Sequence, residues 1–273
     1  SRFQSLSRNC KRGARLSETR LGFTHPRVQR LRRLASRRSE RIEEGCFVVE
    51  GATLIAEAIS AGWHIEEQFV TPDGMAVLGS DTPVHILENG VLERVASTTS
   101  PQPVIAIVRR RTFGLESISN AQWVVVADGI SDPGNLGTIF RSAEAAGASA
   151  VVLTPGTVEA FNPKVVRASA GSMFYVPIIE DVKTYKLQAA GFRVIGTSSH
   201  DQEGSIDFTS ADFTDRVAIV VGNEAHGLVD SSNIDQWVMV PHRGRSESLN
   251  VAMAATLVCF EVAKQRDHAA SNE

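Results

Sequence analysis

The stretch "WVVVADGISDPGNLGTIFRSAEAAGASAVVLTP", residues 123–155, decides the fold. It opens on an apolar run, "WVVVAD", turns through residues rich in Asp, Pro and Gly, and enters the helical pattern "NLGTIFRSAEAAGA". A second apolar run, "AVVLTP", closes it. A short run of β-branched residues without polar alternation fits a strand buried on both faces, and strand–helix–strand at this spacing builds a parallel sheet.

Downstream the alternation continues. "NPKVVRASAG" is helical, "FYVPII" a strand and "TYKLQAAG" a helix; "FRVIGTSS", "RVAIVVG" and "WVMVP" are strands. An apolar helix runs from Ser248 to about Gln265. The expectation is an α/β domain over 121–267 with a largely parallel sheet covered on both faces. No internal repeat interrupts it.

Upstream lies a second, smaller α/β alternation. Val28, Leu31, Leu34 and Ile42 recur at helical spacing among arginines, with Thr24 as the expected cap and Pro26 in the first turn. "CFVVE", "IEEQFVT", "VHILE" and "PVIAIVRRR" read as strands; "GATLIAEAISAG" and "NGVLERVAST" read as helices. This sets an α/β module at 24–112 and a linker at 113–120. Residues 1–23 lack apolar periodicity and are expected to form a mobile basic arm.

With 42% hydrophobic and 22% charged residues the chain can bury a substantial core. No run approaches the ~18 apolar residues of a membrane span. The first twenty residues lack the apolar centre of a secretory signal. Cys10, Cys46 and Cys259 are scattered, without C-x-x-C spacing. That pattern points to a reducing, cytoplasmic setting and implies no metal. The net charge of −3 conceals an asymmetry: residues 1–41 hold 13 Lys and Arg against Glu18 and Glu40 only. Basic segments of this density meet polyanions, above all nucleic acid. Arg30, Arg32, Arg33, Arg37, Arg38 and Arg41 are expected to line one phosphate-facing surface, with Arg109, Arg110 and Arg111 as a second.

Ligands of parallel sheets bind beyond the carboxyl ends of the strands. Three strand-exit loops stand out. "ADGISDPGNLGTIFR" reads alone as a good turn with Asn135 as helix cap, which leaves Arg141 unexplained. "VVGNEAHGL" brings Gly222, Glu224 and Gly227 to a strand end, but is neither a P-loop nor a dinucleotide fingerprint; His226 reads as an exposed loop residue. "HRGRSESLNVAMAA" places Ser248 and Asn250 at the head of an apolar helix, behind His242, Arg243 and Arg245. No G-x-S-x-G elbow occurs.

In this order and spacing, "DPGNLGTIFRSAEAAGA", "VGNEAHGL" and "VPHRGRSESLNVAMAA" resemble the SpoU/TrmH-type RNA ribose 2′-O-methyltransferases of the SPOUT superfamily. "FVVEGATLIAEAI" and "TSPQPVIAIV" resemble their N-terminal substrate-binding module, nearest the two-domain 23S rRNA enzymes. The resemblance implies a trefoil-knotted C-terminal domain, S-adenosylmethionine as cofactor and a homodimer formed through that domain. It assigns Asn135, Arg141, Glu224, Ser248 and Asn250 to catalysis. It assigns Thr197, Ser198, Gly222, Glu224, Val240, Pro241, Ser248, Leu249 and Asn250 to the cofactor. The alternatives are a tRNA-directed enzyme of the same family and a non-catalytic RNA-binding or ribosome-assembly protein on the same fold.

Overall fold

The structure, a computed structural model, describes residues 19–79, 82–96, 100–198, 204–222, 228, 232–241 and 249–271. The chain divides into two units, Ser1–Arg110 and Arg111–Glu273.

The first unit begins with helices α1 (Pro26–Ser36) and α2 (Arg38–Glu44), then β1 (Cys46–Glu50), α3 (Ala52–Ser60) and β2 (Ile65–Val70). It ends with β3 (Val84–Ile86), α4 (Val91–Val95) and β4 (Val104–Arg109). The strands form one sheet in the order β1-β4-β2-β3. β4 is antiparallel to both its neighbours, while β2 and β3 run parallel. Val28, Leu31 and Leu34 lie on one stripe of α1 and pack with Val48, Phe69, Ile105 and Ile107.

The start of this unit departs from the sequence reading in two ways. His25, not Thr24, caps α1, its Nδ1 accepting from Arg27 N at 3.2 Å, and Pro26 takes the first helical position, where a missing N–H costs nothing. The helical stripe also stops at Arg37, whose extended backbone (φ −120°, ψ 122°) breaks the run into two helices. The break rotates Ile42 outward to 55% exposure and turns Arg41 inward, where its guanidinium donates to Leu34 O at 2.7 Å.

Beneath α1 sits an ion lattice. Arg30 contacts Glu44 at 2.6 Å, Glu66 at 2.8 Å and Glu67 at 2.9 Å; Arg27 reaches Glu67 at 2.6 Å. His85 Nε2 lies 3.0 Å from Glu67. Burial on its own would raise the Glu67 pKa. The approach of His85 and Arg27 outweighs it and holds the carboxyl down at about 2.

The second unit contains β5 (Trp123–Asp128), α5 (Pro133–Ala145), β6 (Val151–Leu153), α6 (Pro163–Ala168), β7 (Ile178–Ile179) and α7 (Thr184–Ala189). It continues with β8 (Arg193–Ser198), β9 (Ile206–Asp207), β10 (Val217–Gly222), β11 (Gln236–Met239) and α8 (Val251–Ala270). Its seven-stranded sheet has the order β7-β6-β5-β10-β8-β11-β9, and every described pairing is parallel. Every residue of β5 and of β10 is buried, which is why both read as apolar runs without alternation. Phe113 and Leu115 pack against this core, and Ile118 is part of it. The "FYVPII" strand shrinks to Ile178–Ile179. Ser172–Phe174 instead form a 3-10 turn behind Gly171, whose φ is 98°.

Helices α5 and α6 cross where Gly137 meets Ala168. A Cβ at position 137 would lie 2.7 Å from the Ala168 carbonyl carbon and 2.9 Å from Ser169 N. Backbone atoms cannot swing aside as a side-chain tip can.

Gly137→Val therefore destabilises the chain by about 1–3 kcal/mol or more through overpacking. Thermal unfolding followed by circular dichroism should show the midpoint falling by roughly 2–4 °C per kcal/mol. Glu67 makes a separate prediction. Its folded pKa near 2 lies below the ordinary value of 4.5, so its contribution to stability is complete above about pH 4.5 and is lost as pH falls towards 2. Glu67→Gln should flatten the acid limb of stability against pH over that window.

Candidate active site

In a parallel sheet all strands end at one edge, so the site follows from register. Gly222, the last residue of β10, pairs with Asp128, the last residue of β5. Next door, Val220 of β10 pairs with Gly196 of β8. On the far side of β8, Thr197 and Ser198 pair with Val238 and Met239 of β11, which Val240 and Pro241 follow. Three adjacent strands thus deliver Thr197, Ser198, Gly222, Val240 and Pro241 to one edge. From β5 and β6 the chain steps towards β7; from β8 onward it builds the other side, with β10 inserted between β5 and β8. That reversal of direction is the topological switch point where open parallel sheets bind ligands.

The loop after β5 is held rigidly. Asp128 is buried and accepts from Thr154 Oγ1 at 2.6 Å. Gly129, at φ 64°, donates its N–H to Thr154 Oγ1 and Thr157 Oγ1. Asp132, not Asn135, then caps α5. Its Oδ1 accepts from Asn135 N at 2.8 Å, and Pro133 opens the helix. The expected cap is thereby released for another task. Asn135 Oδ1 accepts from Asn250 Nδ2 at 3.0 Å across 115 residues of sequence.

Asn250 does two jobs with one amide. Its Oδ1 caps α8 by accepting from Ala252 N and Met253 N at 3.0 and 3.3 Å, while its Nδ2 reaches Asn135. Two turns further on, Ser142 Oγ and Thr256 Oγ1 meet at 2.7 Å, closing the α5–α8 seam. Leu249 is half-buried beside the cap. Helix α8 starts at Val251.

Arg141 lies elsewhere on α5. Six helical residues turn by about 600°, which puts Arg141 roughly 120° around the axis from Asn135. It is exposed, one turn beyond the Gly137 contact and on the α6 side, and its guanidinium has no partner among the described residues. Asn135 and Asn250 are therefore brought together, and Arg141 of the same chain is not added to them. Glu224, Ser248, Gly227, His226, His242, Arg243 and Arg245 lie outside the described residues.

Neither described cysteine is poised as a nucleophile. Burial pushes the Cys259 thiol up to about 12; burial, with Glu66 beside it, pushes Cys46 up to about 11. Cys10 lies outside the described residues. No helix among the described residues is long and apolar enough to cross a membrane.

The arginines expected to form one phosphate-facing surface do not act together. Arg41 is 3% exposed and Arg30 is enclosed by three glutamates, so both serve the fold. Arg33 and Arg37 pair with Glu40, and Arg109 with Glu66. Arg110 is half-buried; Arg32, Arg38 and Arg111 are exposed. Sequence reading also missed an aromatic contact in this unit: Arg94 and Arg32 place their guanidinium carbons 3.7 and 5.4 Å from the ring centre of Phe23.

A buried parallel sheet with a switch point between β5 and β8, and two helix N-termini joined by the Asn135–Asn250 contact, define an α/β domain of the ligand-binding type that follows a smaller mixed module in sequence. Comparison with known proteins narrows this. Residues 122–260 match the SpoU rRNA Methylase family and residues 25–106 the MRM3-like substrate binding domain; the chain belongs to the SpoU family. It is 33% identical over 233 residues to the 23S rRNA (guanosine(2553)-2′-O)-methyltransferase RlmP of Bacillus subtilis, covering 82% of this chain and 91% of the relative. It is 29% identical to the 23S rRNA (uridine(2479)-2′-O)-methyltransferase of Streptomyces viridochromogenes, over 90% and 92% of the two chains. Among solved structures, the SpoU methyltransferase AviRb from the same Streptomyces, in complex with AdoMet, superposes with a TM-score of 0.80 at 27% identity, covering 89% of this chain and 98% of that one. The AdoMet-bound rRNA methyltransferase from Sinorhizobium meliloti gives 0.78 at 29%, covering 92% and 98%.

The double duty of Asn250 can be separated by substitution. Asn250→Ala removes the cap and should cost about 1 kcal/mol of stability, whereas Asn250→Ser keeps a capping oxygen and should cost only a few tenths. Chemical denaturation of the two variants reads this directly.

Proposed function

We propose that this chain transfers the methyl group of S-adenosylmethionine to a ribose 2′-hydroxyl of 23S rRNA. The observation that carries the proposal is the switch point, where register brings the ends of β8, β10 and β11 level and where Asn135 and Asn250 join two helix starts, in a chain of the SpoU family. The two relatives described above are 23S rRNA 2′-O-methyltransferases, and the two structures compared are of AdoMet complexes.

The residues present suit that cofactor. The strand ends offer backbone N–H and C=O groups and uncharged side chains, and Gly222 lets a ligand approach the backbone closely. Thr197, Ser198, Gly222, Val240, Pro241 and Leu249 would hold it, joined by Glu224 and Ser248. When bound, the cofactor supplies a methyl group on a sulfonium, which is a good leaving group. The chain then has to align the acceptor oxygen and help its proton depart. Alignment alone contributes ~7–11 kcal/mol to such reactions. Asn135 and Asn250, locked to each other, orient the ribose. Arg141 holds the 2′-hydroxyl and its neighbouring phosphate and stabilises the oxygen as negative charge grows. A guanidinium with a pKa near ~12.5–13.8 is a poor base, so the proton leaves to phosphate or water.

Because Arg141 faces away from Asn135 on its own helix, it completes the site of a second copy. The means of pairing is on α8: Met253, Leu257 and Phe260 recur at i, i+4 and i+7 and are 62%, 45% and 51% exposed. An apolar stripe of this kind suits a homodimer through the C-terminal unit, which also carries the knotted arrangement of the family. The first unit contributes RNA contacts.

Labelled methyl should pass from S-adenosylmethionine to unmethylated 23S rRNA, and Arg141→Ala should lower the rate about 10²–10³-fold with cofactor binding retained. Label confined to tRNA would overturn the substrate. The shared site has its own test. Mixing inactive Arg141→Ala with inactive Asn250→Ser chains should restore part of the activity, since one site in each mixed dimer is then intact. Mixtures as inactive as their parents would place each Arg141 in its own site.

A further inference from the structure

The first unit keeps two cations out of its ion lattice and sets both against one aromatic ring. Phe23 precedes α1 on a segment tied to the edge of the sheet. Leu21 N donates to Ile86 O at 2.7 Å, and Glu88 N donates to Leu21 O at 3.0 Å. A turn follows, with His25 N donating to Gly22 O, and Gln29 Nε2 donates to Phe23 O at 2.5 Å. The ring is partly buried against the core of the unit, so its place is fixed.

Arg94, from α4, lies 3.7 Å from the ring centre, and Arg32, from α1, lies 5.4 Å away. Both residues are exposed. Among the described residues neither guanidinium has a carboxylate or carbonyl partner. Arg27, Arg30, Arg33, Arg37 and Arg109 of the same unit all pair with glutamates. An arginine held on a ring keeps its N–H edge, and the face turned from the ring, for a ligand. A further sequence fact points the same way: between Lys11 and Lys164 the chain contains no lysine. From Arg12 to Arg110 the arginines of this unit are therefore its permanent cations, and all are planar.

A flat π-cation surface with free N–H donors fits a nucleobase face with a phosphate beside it. Stacking on aromatic rings and guanidinium planes is how unpaired RNA bases are held, whereas duplex RNA hides its base faces and is read through backbone and shape. We infer that Arg32, Phe23 and Arg94 form a docking site for one unpaired nucleotide of the RNA substrate. The inference rests on the RNA-directed reading above and adds that the substrate is single-stranded where the first unit grips it.

The test uses the full chain, a fluorescent single-stranded RNA 12-mer, and the same 12-mer annealed to its complement. Arg32→Lys/Arg94→Lys keeps both charges and removes both planes. It should weaken single-strand binding about tenfold, the loss expected for one base stack. Duplex binding and the salt dependence of affinity should stay as in the parent, because no phosphate charge is lost. Phe23→Leu, which refills the partly buried space, should weaken single-strand binding to a similar degree. Unchanged S-adenosylmethionine binding and thermal midpoint show that each variant is folded. Parent-like binding by the double Lys variant overturns the inference, as does equal binding of single strand and duplex by the parent chain. Parent chain that methylates 23S rRNA alongside either result leaves the function standing and this site refuted. Parent chain that neither binds RNA nor transfers methyl refutes both.

Discussion

The insertion of β10 between β5 and β8, parallel to both, is the constraint on which the second unit depends. β5 and β10 bury both faces along their whole length, so Val, Ile and Ala fill β10 up to Gly222 and β5 between Trp123 and Asp128, and neither carries a polar side chain before its end. Parallel pairing then sends every exit to the same edge. Register does the rest, because Asp128 beside Gly222 and Ser198 beside Met239 bring three distant stretches of chain level with one another. The shared edge follows from sheet geometry.

Two helix starts turn that edge into a site. Capping is a local requirement, and α5 meets it with Asp132, which frees the side chain of Asn135. Helix α8 meets it with Asn250, whose amide has a second end left over. The contact between the two asparagines uses what capping leaves unused, and the Ser142–Thr256 pair and the Gly137–Ala168 crossing fix the helices that carry them. One amide therefore answers both for the stability of α8 and for the shape of the site, which is why Ala and Ser at position 250 have different consequences.

Much of this was legible in the sequence where a feature repeats or has a period. Unbroken Val/Ile runs separated by helical patterns specify a parallel α/β sheet, and strand-end Gly, Ser and Asn specify where its ligand edge lies. Features set by one residue's backbone were not legible. The cap on α5 was placed on Asn135 because Asn and Asp are both good caps. Only the chain path shows that Pro133 occupies the first turn, which makes Asp132 the cap. The helix before β1 read as one stripe from Val28 to Ile42. An extended Arg37 resets the phase, so Ile42 faces out and Arg41 faces in. Periodicity has no means of registering a single residue that leaves the helix. The two-residue strand β9 carries too few residues to show any period.

Charge is the case in which composition and structure diverge most, for a physical reason. Counting arginines treats each as equally available, yet a guanidinium is removed from solvent wherever a carboxylate can meet it. Glu44, Glu66 and Glu67 sit below α1 and claim Arg30, and Glu40 claims Arg33 and Arg37. Each partly buried pair must offset the desolvation of two ions, so such lattices hold geometry more than they add stability. Their effect is to fix the angle at which α1 lies on the sheet. That angle keeps Arg32, which faces the other way on the same helix, against Phe23. The basic segment thus divides its labour by helical phase. One face of α1 is neutralised to build the unit, and Arg32, further round the helix, lies against the Phe23 ring instead.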